Sequence, residues 1–164
     1  MINLILGRSG SGKSTVVKYL QNQYHYKPLL SYTTRPKRYP EEEGHIFITK
    51  SEEVPLLKDI VAETYFDGYH YFATKEQLNN SDLYIIDPIG LWNLKDVNKR
   101  SFYIDVSESI LKQRLYDRDR SLDRYYWDLK NYPTVSTEID YRIQADGMSI
   151  SEIGDYIHHI IKGR

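Results

Sequence analysis

Gly7-Arg8-Ser9-Gly10-Ser11-Gly12-Lys13-Ser14 decides the fold, because it is a full match to the G-x-x-x-x-G-K-[ST] pattern. Glycines in such a loop let successive backbone N–H groups turn inward without a Cβ in the way, forming a cradle for phosphate oxygens. Lys13 adds a mobile positive charge suited to the β- and γ-phosphates of a nucleoside triphosphate, and Ser14 a hydroxyl suited to ligate Mg²⁺. The pattern also occurs by chance, so its context matters. Residues 2–6 form a β-rich apolar run ending at Gly7, and 13–24 carry Val16, Val17 and Leu20 at helical spacing. That helix would aim its positive dipole end at the cradle. Gly7, Ser9, Gly10, Ser11, Gly12, Lys13, Ser14 and Thr15 are the residues expected to hold the triphosphate, with Lys13 also catalytic.

Beyond the loop, short apolar runs alternate with helical patterns. Strands are expected over 46–48, 60–65, 69–73 (after the Asp67-Gly68 turn signal), 83–87, 101–106 and 140–145. Ser107 reads as a helix N-cap ahead of an Ile110, Leu111, Leu115 stripe, and 151–161 reads as a closing helix. Strands that are apolar throughout and alternate with helices imply a parallel sheet covered on both faces, a three-layer α/β fold. The middle of the chain breaks that rhythm with several short strands and reads as a small inserted subdomain.

The chain has 164 residues, 40% of them hydrophobic and 27% charged, enough for one domain with a packed core. A formal net charge of −1 gives no global basic field, so no nucleic-acid partner is expected. With no cysteine there is no disulfide framework or thiolate metal site. No apolar run approaches the roughly 18–20 residues of a membrane helix, so no membrane partner is expected. The first seven residues lack a charged leader, which predicts a cytoplasmic protein.

Two further features carry chemistry. Arg35 and Arg38 sit in a Pro-stiffened loop, Ser31-Tyr32-Thr33-Thr34-Arg35-Pro36-Lys37-Arg38, after a strand-like run. Guanidinium groups so close together repel unless an anion lies between them, and their planar forks match phosphate oxygens in pairs. Asp87 ends an apolar strand, where the carboxyl ends of parallel strands meet the phosphate loop. It has two readings: a group that orients Mg²⁺-bound water or the acceptor, and a cap for the helix that follows.

From these residues onward the sequence resembles the guanylate kinase family. The resemblance runs from the loop at 7–14 through 31–38, Glu41-Glu42-Glu43-Gly44-His45-Ile46-Phe47, Glu63, Gly68 to Tyr71 and Asp87-Pro88-Ile89-Gly90, then weakly to 111–118 and Asp140-Tyr141. It implies a three-layer P-loop kinase fold in one domain over 1–164, with a core of about 1–34 and 75–164, an acceptor-binding insertion of about 35–74 and a short lid near 118–124. It also implies transfer of the γ-phosphoryl of ATP to GMP or dGMP with Mg²⁺ bound through Ser14. Under it, Arg35, Arg38 and Tyr71 hold the acceptor phosphate, and Ser31 and Glu63 read the base. Asp87 lies between the nucleotides, and Arg118 with Arg124, and in some arrangements Arg114, serves the transferring group. Three positions depart from the family. Phe47 stands for a tyrosine, Ala73 for a base-contacting serine, and the Glu63–Gly68 interval is one residue short.

The chemistry fits on its own terms. An acceptor phosphate is already ionised near neutral pH, so alignment and cations suffice and no general base is needed. The alternatives are a same-fold kinase for another small phosphorylated acceptor, such as a different nucleotide or ribose 1,5-bisphosphate, and a non-catalytic binding module. The run from Arg114 to Arg124, interleaved with aspartates, reads either as a solvated charged helix or as the lid. Tyr125-Tyr126-Trp127 reads as core or a dimer patch, and the chain as monomer or homodimer. His25, His45, His70 and the adjacent His158-His159 pair have no ligand spacing.

Overall fold

The computed structural model describes residues 1–131 and 139–163. Its centre is β1 (Ile2–Leu6), buried at all five positions. β1 is flanked in parallel by Leu83–Ile85 (β7) and Lys99–Asp105 (β8), with Asn3 opposite Leu83 and Ile5 opposite Phe102. Pro28–Leu29 (β2) and Tyr141–Gln144 (β9) complete the parallel order β2-β7-β1-β8-β9. Period-two alternation sends side chains to two separate cores. Ile5, Leu83, Phe102 and Ile104 pack with Lys13–Tyr24 (α1), Glu108–Asp119 (α5) and Ile150–Lys162 (α7). Leu4, Leu6, Tyr84 and Ile86 pack on the other side with Leu91 of Pro88–Asn93 (α4) and with Leu94. Both faces of the sheet are therefore covered, as the continuous apolar strands require. α1 and α7 cross closely because Gly154 has no side chain; a Cβ there would meet the Tyr19 ring at 2.3 Å.

The second sheet runs in the order β4-β3-β6-β5, from Tyr32–Thr33 (β3), Ile46–Phe47 (β4), Ile60–Phe66 (β5) and Tyr69–Thr74 (β6). β5 and β6 form a hairpin on Asp67 and Gly68, whose φ of 51° and 77° suit a two-residue turn that needs positive values at both positions. The small sheet begins at Tyr32, ahead of the insertion expected from 35, because β3 pairs with β6 rather than with the central sheet. β7 stops at Ile85 instead of 87, since Asp87 turns away to cap α4. Lys50–Glu53 (α2) and Lys75–Asn79 (α3) escaped the periodicity reading; each starts on a capping box, Thr49 with Glu52 and Thr74 with Gln77. The expected lid spans the end of α5, a break at Arg120 (φ 54°) and the first turn of Asp123–Asn131 (α6). Residues 132–138 and Arg164 of the 75–164 core segment lie outside the described residues. No described helix is long and apolar enough to cross a membrane.

Candidate active site

The phosphate loop joins β1 to α1. At Gly7 (φ 151°) a Cβ would stand 2.8 Å from the Ile104 carbonyl oxygen and 2.6 Å from Ser11 Oγ, so only glycine lets the loop fold this tightly. Gly12, at φ 92°, makes the sharp entry into α1. Lys13 folds back over the loop, its Nζ donating to the carbonyls of Gly7 at 2.5 Å and Arg8 at 2.9 Å. Burial lowers its pKa to about 8; Asp128 opposes that fall, while Arg124 and Arg118 add to it.

Asp87 caps the helix and borders the cleft at once. Its carboxylate accepts from the Gly90 N–H at 2.8 Å at the start of α4. Burial raises its pKa, against the Gly90 and Ile89 N–H groups, Arg124 and the Thr64 hydroxyl, which favour the ionised form.

Across the cleft, the loop that carries Arg35 and Arg38 is assembled on one buried acid. Arg35 donates to both Glu42 oxygens, Nη2 to Oε1 at 2.7 Å and Nη1 to Oε2 at 3.2 Å, and the Arg38 N–H donates to Oε2 at 2.6 Å. Arg35 Nε donates to the Tyr71 hydroxyl at 3.1 Å, and its guanidinium lies 5.3 Å from the Phe47 ring centroid. Phe47 thus supports the arginine through its ring face, where the family's tyrosine would present a hydroxyl. Glu42 fixes the direction of the Arg35 fork, and the exposed Arg38 guanidinium lies 4.0 Å from the same carboxylate. Ser31 reaches His45, Oγ to Nδ1 at 2.9 Å, and burial, with Arg35 next, lowers the His45 pKa.

Ser9, Lys13 and Ser14 from the loop, Ser31, Arg35, Arg38 and Tyr71 from the small sheet, and Asp87, Arg118 and Arg124 all border one cleft of about 710 Å³. The loop glycines, Ser11 and the exposed Thr15 frame the cradle without lining it. Arg124 points in, its Nε donating to Ser9 Oγ at 2.8 Å. Arg118 instead forks onto the neighbouring Asp119, at 2.7 and 2.6 Å. Arg114 donates to the Gly10 carbonyl at 2.9 Å and so braces the loop from outside.

Glu63 is the exception. It borders the cleft, yet the hairpin register pairs Thr64 with Tyr71 and Glu63 with Phe72, so Glu63 projects from the face opposite Tyr71. There its carboxylate meets His70 Nε2 at 2.7 Å, while Glu53 takes His70 Nδ1. The Tyr65 ring stacks on the imidazole at 4.3 Å. His70 is buried, and sequence spacing gave no sign of this arrangement.

Sequence reasoning also missed Asp128, His45 and Glu42. Asp128 is fully buried on α6, beside Ser9 and Arg124. Tyr125 is core, as expected, and Trp127 packs edge-on against Phe66 at 5.2 Å. Among the described residues no group of three or more His, Asp or Glu side chains is placed to hold a metal ion. A hydroxyl (Ser14) and a carboxyl (Asp87) on the cleft are hard oxygen donors that suit Mg²⁺ arriving with a nucleotide's phosphates.

This architecture is the fold of the P-loop nucleotide kinases. Guanylate kinase from Anaplasma phagocytophilum superposes with a TM-score of 0.70 at 21% identity, covering 99% of this chain and 85% of that one. The YorR protein of Bacillus subtilis, solved with phosphorylated GDP, matches at TM-score 0.52 and 19% identity over 98% and 95% of the two chains. Deoxyadenosine kinase from M. mycoides, solved with dATP, matches at TM-score 0.52 and 16% identity over 99% and 100%. No family model and no curated protein matches the sequence.

Proposed function

We propose that this chain is a nucleoside monophosphate kinase, moving the γ-phosphoryl of Mg·ATP to the phosphate of an acceptor such as GMP or dGMP. The observation that carries the reading is the placement of Lys13 and Ser14 on one wall of a single cleft and of the Arg35–Tyr71 pair with Arg38 on the other. Lys13 would neutralise the β- and γ-phosphates, and Ser14 with Asp87 would hold the Mg²⁺ that shields the transferring group. Arg35, Arg38 and Tyr71 would fix the acceptor phosphate in line, and Arg124 would meet charge that develops on the moving phosphoryl. No general base is called for, because the attacking oxygen is already anionic.

Glu63 favours a second reading of the acceptor. With its carboxylate on the far face of the hairpin, it does not present a pair of acceptors to guanine beside Tyr71. That orientation fits an acceptor chosen by its phosphate and sugar, a different nucleotide or a ribose phosphate among them. The test is ADP production with Mg·ATP against GMP, dGMP, AMP, CMP, UMP, TMP and ribose 1,5-bisphosphate, with a no-acceptor control and Lys13→Ala. Lys13-dependent turnover confined to GMP and dGMP supports guanylate kinase chemistry. Turnover with another phosphorylated acceptor keeps the kinase and replaces the substrate. Nucleotide binding without turnover for any acceptor would sink the enzymatic reading.

A further inference from the structure

α6 is fastened to the phosphate loop by three contacts in a row. The Arg8 guanidinium lies 4.5 Å over the Tyr125 ring, Arg124 Nε donates to Ser9 Oγ at 2.8 Å, and the Ser9 backbone N–H donates to Asp128 Oδ2. Asp128 is 0% exposed, and its other oxygen lies 3.3 Å from Arg124 Nε. A carboxylate is seldom buried so completely without a charged partner, and here the partners are the groups a nucleotide would use.

The Ser9 N–H belongs to the loop whose inward backbone donors make the cradle. In this structure that donor is taken by an acid from the same chain. The rest of the site is also turned inward, since Lys13 Nζ rests on the Gly7 and Arg8 carbonyls and Arg124 is divided between Ser9 and Asp128. A triphosphate cannot share the donor with a carboxylate. Two anions in contact in a poorly solvated pocket repel strongly, and one must leave. α6 also reaches the acceptor side, where Arg124 lies 4.3 Å over Phe66 and Trp127 meets the same ring.

We propose that Asp128 is a displaceable internal anion of the phosphate loop: incoming triphosphate expels its carboxylate from the Ser9 N–H and thereby releases Arg124 to the transferring phosphoryl group. Nucleotide binding and arginine delivery are then a single event, and Asp128 is a positioning residue acting through Ser9 and Arg124. The inference rests on the nucleotide-binding reading of the loop.

The test compares full-length wild type with Asp128→Asn for binding of Mg·AMP-PNP by calorimetry, with circular dichroism to check folding. The variant is expected to bind about tenfold tighter, because the competing charge is gone. A merely structural role would weaken binding, so the sign of the change is diagnostic. A second measurement leaves Asp128 intact: in Trp92→Phe, Trp127 is the remaining tryptophan, and its emission should change on Mg·AMP-PNP addition as α6 leaves the loop. Equal or weaker binding by a folded Asp128→Asn, or a silent Trp127 in a protein that binds nucleotide, overturns the role of Asp128 and leaves the loop reading standing. Absence of binding in wild type overturns the loop reading and this inference with it.

Discussion

Glu63 and Tyr71 stand on opposite faces of the β5–β6 ladder, although both border the same cleft. Tyr71 shares its face with Thr64, its cross-strand partner, and accepts from Arg35. Glu63 shares its face with the buried His70 and Phe72. The division separates two jobs that the resemblance assigns to one surface. Tyr71 stays with Arg35 on the cleft side, while the half-exposed Glu63 carboxylate is engaged by His70 on the other face of the hairpin.

Glu63→Ala is therefore expected to leave the ranking of acceptors unaltered, with KM for each within about threefold of wild type. Its cost should fall on stability, about 1–3 kcal/mol in urea unfolding, because a buried His70 nitrogen loses its acceptor. Selective loss of activity with guanine nucleotides at unchanged stability would return Glu63 to the base.

What the sequence made legible follows the length and regularity of each signal. The strand, glycine loop and helix at 2–24 announce themselves because an apolar run, a phosphate-loop pattern and helical spacing agree. α2 and α3, of four and five residues, are too short for periodicity and show only in their capping boxes. The short Glu63–Gly68 interval was visible as a spacing. The face Glu63 occupies is set by the hairpin register, which that spacing alone did not reveal. Asp128 lies beyond the Arg114–Arg124 charge run and carries no signal of its own in the sequence; only the docking of α6 on the loop buries it.

The Arg35–Tyr71 hydrogen bond predicts how the acceptor site fails. Tyr71→Phe keeps the ring and removes the oxygen that orients Arg35 Nε. KM for the acceptor should rise about five- to tenfold, the worth of roughly 1 kcal/mol, while KM for ATP stays unchanged. Arg35→Lys should do more, because an ammonium cannot fork onto Glu42 and keep its place over Phe47. Equal effects on both substrates would mean that the pair holds the fold and not the acceptor.

Glu42 sets the acid limit of that same loop. Hydrogen bonds from the Arg35 side chain and the Arg38 backbone lower its pKa from 4.5 to about 2. The native state thus favours the ionised form, so its contribution is complete above pH 4.5 and fades as pH falls toward 2. Melting curves across this range should show Glu42→Gln less stable than wild type at pH 6, with the gap closing as pH approaches 2. A gap independent of pH would show that charge on Glu42 contributes nothing.

Lys13 ties nucleotide affinity to alkaline pH. With its pKa lowered to about 8 by burial, Lys13 is partly neutral where an ordinary lysine is fully charged. A triphosphate beside it favours the ammonium, so binding above pH 8 must take up a proton, and affinity should fall by up to about tenfold per pH unit. Folding responds with the opposite sign. The unfolded chain binds more protons between about 8 and 10.5, so stability rises with pH through that window while affinity drops. Calorimetry at about pH 9 in two buffers of different ionisation enthalpy measures the proton directly. Lys13→Arg, whose guanidinium does not titrate in this range, should bind without proton uptake and with an affinity nearly flat in pH. Wild-type binding that exchanges no proton above pH 8 would mean that Lys13 is already charged before nucleotide binds, resting on the Gly7 and Arg8 carbonyls as a full cation.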